Sequence, residues 1–232
     1  MKPNIAVIAG GDSSEYQVSV KSGKNVFDAV DTDLFTPWLT HITKGSWQVI
    51  ENGQPLAEVN KADFSFEIDG KKIVPDFAYI TIHGTPGEDG ILQGYFELLG
   101  IPYSTCNVQV SALTFNKWHC NNFLRSFGVK MAKSVRLVAG DPVNTRSLVD
   151  KLGLPLFVKP NAGGSSFGVT KVKSEETLLQ AIEHAWSESR EALVEEYIAG
   201  TEYTCGLARL NGELVIFPVT RSEEHTSELQ SR

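Results

Sequence analysis

Cysteine is scarce in this chain: Cys106, Cys120 and Cys205 are the only three in 232 residues. Odd in number and widely spaced, they make neither a disulfide framework nor a CxxC metal knuckle, and they read as free thiols of a reducing compartment. Positive charge is also in short supply. Twenty-one Lys and Arg stand against 28 Asp and Glu, for a formal net charge of -7. A polyanionic partner needs a clustered basic excess, so nucleic acid is not expected to bind. Long apolar runs are missing too. The amino-terminal run Ile5–Ala9 is too short for a signal-peptide core and far too short to span a bilayer. No membrane partner is expected, and the expected location is cytoplasmic. His41, His119, His184 and His225 sit where surface or packing roles are expected, and with His83 they form no metal-ligand cluster.

What is present is enough for one ordinary core or two small ones, with 41% hydrophobic and 21% charged residues. Ile5–Ala9 is a continuous apolar run ending at Gly10-Gly11, the pattern of a strand buried on both faces and followed by a tight turn. Ser13 and Ser14 are good N-cap residues, and Val18, Ser22, Val26 and Val30 recur at nearly helical spacing. Short strands are expected over Leu34–Ile42 and Trp47–Val49, while the polar stretch Asn52–Lys72 receives no element. Asp76–Ile82 reads as a strand that enters the loop His83–Gly90. The helix Ile91–Leu99 follows and is stopped by Gly100 and Pro102. These two strand–loop–helix units predict a Rossmann-like parallel sheet domain whose two loops face one crevice at the carboxyl ends of the strands.

A short strand Ile101–Ser104 and a helix Ala112–Phe127 come next. Strands then dominate, over Ala132–Val138, Leu156–Lys159, Val169–Val172, Ala192–Tyr197, Tyr203–Arg209 and Glu213–Pro218, with one helix over Ser174–Ser189. Asn211-Gly212 predicts a type I′ hairpin turn, because both residues tolerate positive φ. An α+β second domain is expected, with the domains at 1–105 and 106–221. The polar segment Ser222–Arg232 reads as an unrelated tail, a translated cloning or sequencing artefact.

Three segments are suited to chemistry. In Lys159-Pro160-Asn161-Ala162-Gly163-Gly164-Ser165-Ser166, glycines allow close approach of an anion, N–H and Ser hydroxyl groups donate to phosphate oxygens, and Lys159 supplies charge. A flexible hairpin with an exposed lysine is the plainer alternative. The segment is not a Walker loop, since the Gly-Lys-Ser/Thr order and the following helix are missing. Glu195, Glu196 and Glu202 could read an adenine amine and a ribose hydroxyl, although on this segment alone solvated carboxylates at strand ends are the simpler reading. Glu15 lies where a turn meets a helix start. Glu88 and Asp89 suit either substrate contact or capping, and His83 is the one histidine placed in a loop of this kind.

Taken in order, four pieces resemble the D-alanine:D-alanine ligases of the ATP-grasp superfamily: Gly10–Ser19, His83-Gly84 through Gln93-Gly94 to Glu97, Val158–Ser166, and Glu195–Glu202. The resemblance covers residues 1 to about 220. It implies an amino-terminal Rossmann-like domain followed by an incomplete ATP-grasp domain. ATP would phosphorylate the carboxylate of one D-alanine, and the amine of a second would attack the acyl phosphate to give the dipeptide for peptidoglycan. By the resemblance, Glu15 and Ser165 hold the ammonium of the first D-alanine and His83 lies beside its carboxylate. Lys117, Lys159 and Ser166 bind ATP phosphates. Glu195 and the backbone at Ile198 meet adenine, and Glu202 the ribose. Mg2+, or Mn2+ in its place, is implied with ligands beyond Thr220, and a homodimer is common in the family. Ala162 stands where members often carry Arg or Asn. A chain ending as this one does is expected to be inactive or nearly so. A D-alanine:D-lactate or other carboxylate–amine ligase, and a non-catalytic nucleotide-binding module, are the alternatives.

Overall fold

The computed structural model describes residues 2–221; the expected tail 222–232 lies outside them. The chain divides into two compact units, Met1–Glu196 and Tyr197–Arg232.

The first unit is organised around β1 (Asn4–Gly10), whose Ala6, Val7, Ile8 and Ala9 are wholly buried. Alternation along the strand sends Ala6 and Ile8 to one core and Val7 and Ala9 to another, on the opposite face of the sheet. The helix α1 (Tyr16–Ala29) packs on the second of these cores through Val26 and Phe27. The chain continues through β2 (Thr36–Ile42), β3 (Trp47–Glu51), β4 (Gln54–Glu58), β5 (Phe66–Ile68), β6 (Lys71–Ile73) and β7 (Phe77–Ile80). The main sheet has the order β4-β3-β2-β1-β7. β1 lies parallel to β2 and to β7, as the two strand–loop–helix units require, while β3 and β4 extend the sheet in antiparallel fashion.

That extension uses the stretch to which no element was assigned. Asn52-Gly53 (φ 50 and 77) and Asp69-Gly70 (φ 50 and 72) turn β3 into β4 and β5 into β6, with the positive-φ pair of a type I′ hairpin. The region is fastened by aromatic edges: Trp47 meets Tyr95 at a centroid distance of 5.2 Å and Phe64 meets Phe96 at 4.9 Å.

The helix α2 (Ile91–Leu99) stops at Gly100, which adopts φ 68. The strand expected over Ile101–Ser104 contracts to one bridge between Ala78 and Tyr103, because Pro102 has no N–H to donate to a ladder. The single helix expected over Ala112–Phe127 is two, α3 (Val108–Phe115) and α4 (Lys117–Ser126). Asn116 breaks it. Its backbone is extended and its side chain accepts from the His119 amide at 2.9 Å, the competition with helical hydrogen bonding that makes Asn a capping residue.

A second sheet follows, built from β8 (Ser134–Val138), β9 (Leu156–Pro160), β10 (Thr170–Val172) and β11 (Glu191–Glu196) in the order β10-β9-β11-β8, all antiparallel. One helix was expected here. Besides α6 (Leu178–Glu188), α5 (Thr145–Leu152) is present, started by the Asn144 side chain accepting from Ser147 N and held by burial of Leu148 and Leu152. Leu156, Val158, Leu178, Ile182, Ala192 and Val194 form the core beneath this sheet.

In the second unit, β12 (Tyr203–Thr204), β13 (Leu207–Leu210), β14 (Glu213–Ile216) and β15 (Thr220–Arg221) make two short antiparallel pairs, β12 with β15 and β13 with β14. The expected strand Tyr203–Arg209 is thus interrupted at Cys205-Gly206. Asn211 (φ 51) and Gly212 (φ 86) form the expected turn. Among the described residues no helix is long and apolar enough to cross a membrane.

Candidate functional site

The loop after β1 and the loop after β7 touch, as their placement at the carboxyl ends of parallel neighbours predicts. Asp12 N donates to Thr85 O at 2.9 Å, while Gly11 N fastens the first loop to the end of β2 through Ile42 O at 2.7 Å. A side chain has no room here: a Cβ on Gly10 would lie 2.6 Å from Ile42 O, and one on Gly11 2.7 Å from Ile82 Cγ2. Ser13 and Ser14 do not cap α1 as expected. The N-cap position is Glu15, while the Ser13 hydroxyl donates to His83 O at 2.8 Å and so ties the two loops together. Glu88 and Asp89 serve their own loop, Glu88 Oε2 accepting from Gly84 N at 2.7 Å and Asp89 Oδ1 from Ile91 N at 3.1 Å. The His83 ring faces α1, with Nε2 3.4 Å from Ser22 Oγ.

The third loop, residues 161–168 after β9, comes to the same place. Glu15 is buried, and the Ser165 hydroxyl, 150 positions away in sequence, donates to its Oε1. A Cβ on Gly164 would stand 3.1 Å from Glu15 Oε2, so the glycine permits the approach. Ser165 and Ser166 both take positive φ, 46 and 61, a conformation uncommon for residues other than glycine and often found where a ligand is clamped. Between the loops is a cleft of about 460 Å³, lined by Asp12, Ser14, Thr85, Phe115, Gly163 and Phe167 among others.

Two lysines stand at the base of the third loop. Lys117, the first residue of α4, donates through Nζ to Gly163 O at 2.7 Å. Burial, and secondly the charge of Lys159, holds its ammonium below the ordinary lysine range, against the pull of Glu195, Glu15 and Glu88. Lys159 is ion-paired with Glu195. Glu195 is therefore no solvated carboxylate at a strand end: it is buried, and Asn121 Nδ2 also donates to it at 3.3 Å. Ser166 is exposed beside Ser165. Ile198 and Glu202 belong to the second unit, where both are exposed.

Of the expected site residues, Glu15, Ser165, His83, Lys159 and Ser166 lie in the three loops and the elements bearing them, while Lys117 reaches the third loop from α4 and Glu195 meets Lys159 from β11. Asn161 stands in the segment suited to phosphate but is given no role of its own by the sequence, although it is buried where Lys117 meets the third loop. A polar residue between Pro160 and Ala162 carries no pattern that would single it out. No group of three or more His, Cys, Asp or Glu among the described residues could hold a metal, so no metal ligand is assigned.

Comparison with known proteins identifies the family. Residues 4–106 match the family described as D-ala D-ala ligase N-terminus, and residues 123–228 match D-ala D-ala ligase C-terminus. The D-alanine–D-alanine ligase of Parabacteroides distasonis is 50% identical over 220 residues, covering 95% of this chain and 67% of that protein. The crystal structure of D-alanyl-alanine synthetase A from Vibrio cholerae superposes with a TM-score of 0.83 at 28% identity, over 95% of this chain and 66% of the other. A D-alanine–D-alanine ligase from Bacillus anthracis complexed with ATP matches with a TM-score of 0.66 at 34% identity, over 88% and 62% of the two chains. The chain thus spans about two-thirds of the length of these relatives. By sequence and by fold, the chain belongs to the D-alanine–D-alanine ligase family.

Proposed function

We propose that this chain carries the ATP-binding and first-substrate elements of a ligase that joins two D-alanines for peptidoglycan synthesis. The observation that carries the reading is the meeting of Glu15 with Ser165. It sets a buried carboxylate, suited to an ammonium group, beside a loop suited to phosphate, with Lys117 and Lys159 at the loop's base. In this reading Glu15 and Ser165 hold the amino end of the first D-alanine and His83 lies beside its carboxylate. Lys117, Lys159 and Ser166 take the phosphates, Glu195 and the Ile198 backbone the adenine, and Glu202 the ribose. Residues 1–105 act as the substrate domain and 106–221 as part of the nucleotide domain.

A carboxylate resists attack because its leaving group would be oxide. Transfer of the terminal phosphoryl group of ATP to a carboxylate oxygen releases ADP and makes phosphate the leaving group. The amine of the second D-alanine then attacks the acyl carbon, the C–O bond to phosphate breaks, and the amine loses a proton as the peptide bond forms. The protein contributes position and charge. Among the described residues, Lys117 and Lys159 are the cations this reading places on the triphosphate.

Calorimetric titration tests the assignment of sites. Lys117→Ala and Lys159→Ala are each expected to weaken ATP binding by about tenfold, the scale of a charge-assisted hydrogen bond. Glu15→Ala should leave ATP binding unchanged and abolish detectable D-alanine binding. ATP affinity indifferent to both lysines would sink the reading.

A further inference from the structure

Every polar group of Asn161, a fully buried residue just after β9, is engaged. Its main-chain N–H donates to Glu191 O at 2.8 Å and its carbonyl accepts from Lys117 N at 3.0 Å. In the side chain, Oδ1 accepts from Trp118 N at 2.8 Å and Nδ2 donates to Glu191 Oε2 at 2.6 Å. The partners determine which way the amide faces. Turned over, it would set an NH2 group against a backbone N–H and a carbonyl oxygen against a carboxylate.

The chain of contacts goes further. The other oxygen of Glu191 accepts from Arg136 Nη1 at 3.1 Å, and the Arg136 guanidinium stands 5.8 Å from the centroid of the Trp118 ring. The circuit closes on itself, from the Trp118 amide through Asn161, Glu191 and Arg136 back to the Trp118 indole. None of the side chains of Asn161, Glu191 and Arg136 lines the cleft, and neither does that of Lys117, which meets the loop from behind through Gly163 O. What they enclose is the first turn of α4, and the residue at its head is Lys117, whose ammonium reaches Gly163 O. A lysine has four rotatable carbons and little shape of its own. Where its charge arrives is decided by where its Cα is pinned.

We propose that Asn161, with Glu191 and Arg136, forms a positioning unit that pins the start of α4 and thereby delivers the Lys117 ammonium to the phosphate loop. This rests on the ATP-binding role proposed above for Lys117. In this proposal the three residues act through Lys117: their side-chain contacts are with one another and with Trp118 at the start of α4.

A double-mutant cycle on ATP affinity tests it, with calorimetry on the parent protein, Lys117→Ala, Asn161→Ala and the double variant. Asn161→Ala alone is expected to weaken ATP binding about tenfold, a coupling typical of residues in one network. In the Lys117→Ala background the same change should add no more than about twofold, because the group it positions is gone. A tenfold effect in both backgrounds would overturn the proposal, and so would an Asn161→Ala protein that binds ATP like the parent. Should Asn161→Ala fail to fold, Arg136→Met takes its place in the cycle. It opens the circuit from its exposed side, with an expected single effect of about threefold and the same non-additivity with Lys117→Ala. A parent protein that binds no ATP, or a Lys117→Ala protein that binds as the parent does, fails earlier in the cycle. Either outcome removes the nucleotide reading itself.

Discussion

Gly23 lies inside α1, and replacing it by alanine sets two opposed effects against each other. In a helix interior alanine is favoured over glycine by about 0.8–1.0 kcal/mol. Here the added Cβ would be 2.5 Å from Ala9 Cβ and 3.0 Å from Thr81 Oγ1, well inside the contact distance of about 3.5–4.0 Å for two carbons. Ala9 cannot rotate away, since its Cβ has no rotamer, and its strand is paired with β2 along its whole length and with β7 beside it. The helix itself must move. Overpacking of this kind costs about 1–3 kcal/mol, and the absence of a flexible neighbour places this case in the upper half of that range. We therefore expect Gly23→Ala to lose about 1–2 kcal/mol net, which lowers the midpoint of thermal unfolding by about 2–8 °C in a protein of this size. Urea and thermal unfolding followed by circular dichroism measure it. Ala9→Gly, mildly destabilising alone, should rescue part of the loss when combined with Gly23→Ala, with a coupling of about 1 kcal/mol. A Gly23→Ala protein as stable as the parent, or more so, would show that propensity outweighs the α1–β1 contact and would refute the argument from packing.

Gly53→Ala, at a position with φ 77 and open space around it, should cost about 1–2 kcal/mol through backbone strain alone, whereas Gly45→Ala, with ordinary φ and equal space, should be neutral in the same urea titrations. The Asp63 carboxyl is lowered to about 2 by hydrogen bonds from Lys72 and Ser65. Its contribution to stability is complete above the ordinary carboxylate range and lost as pH falls through about 2; carboxyl NMR should find that midpoint, and Lys72→Ala should raise it. In its proposed role the Lys117 ammonium, held low by burial and by Lys159, attracts phosphate fully at lower pH and loses that attraction as pH rises through its depressed pKa. ATP titrations across the alkaline range should show affinity falling, and Lys159→Ala should move the fall to higher pH.

Elements with one dominant local cause were legible in the sequence. Ile5–Ala9 has no reading other than a buried strand, and Asn211-Gly212 turns a hairpin as its dipeptide predicts. The same logic applied to Asn52-Gly53 and Asp69-Gly70, but the strands they join are short and polar, and their burial comes from Trp47, Phe64 and Phe96 meeting across the fold. α5 was passed over because its eight residues bury only Leu148 and Leu152, too few for a clear period. The split at Asn116 was invisible because apolar residues continue on either side, and one side-chain cap decided the matter. The site loops could be read, and so could the meeting of the first two at the carboxyl ends of parallel strands; the arrival of the third beside them was carried by the resemblance alone. No spacing rule links Glu15 to Ser165, and Asn161 owes its importance to partners at Trp118 and Glu191 that only the fold brings near.

The break between α3 and α4 also decides what kind of attraction the phosphate loop can exert. A helix that begins beside an anion site usually offers it unpaired amides and the positive end of its dipole. Here those donors are already taken: Lys117 N and Trp118 N by the carbonyl and side chain of Asn161, His119 N and Cys120 N by the side chain and carbonyl of Asn116. The field of α4 is present, but it has no hands. Whatever the loop grips through this helix it grips with one ammonium group at the end of a flexible stem, and a single deprotonation removes the share that α4 contributes.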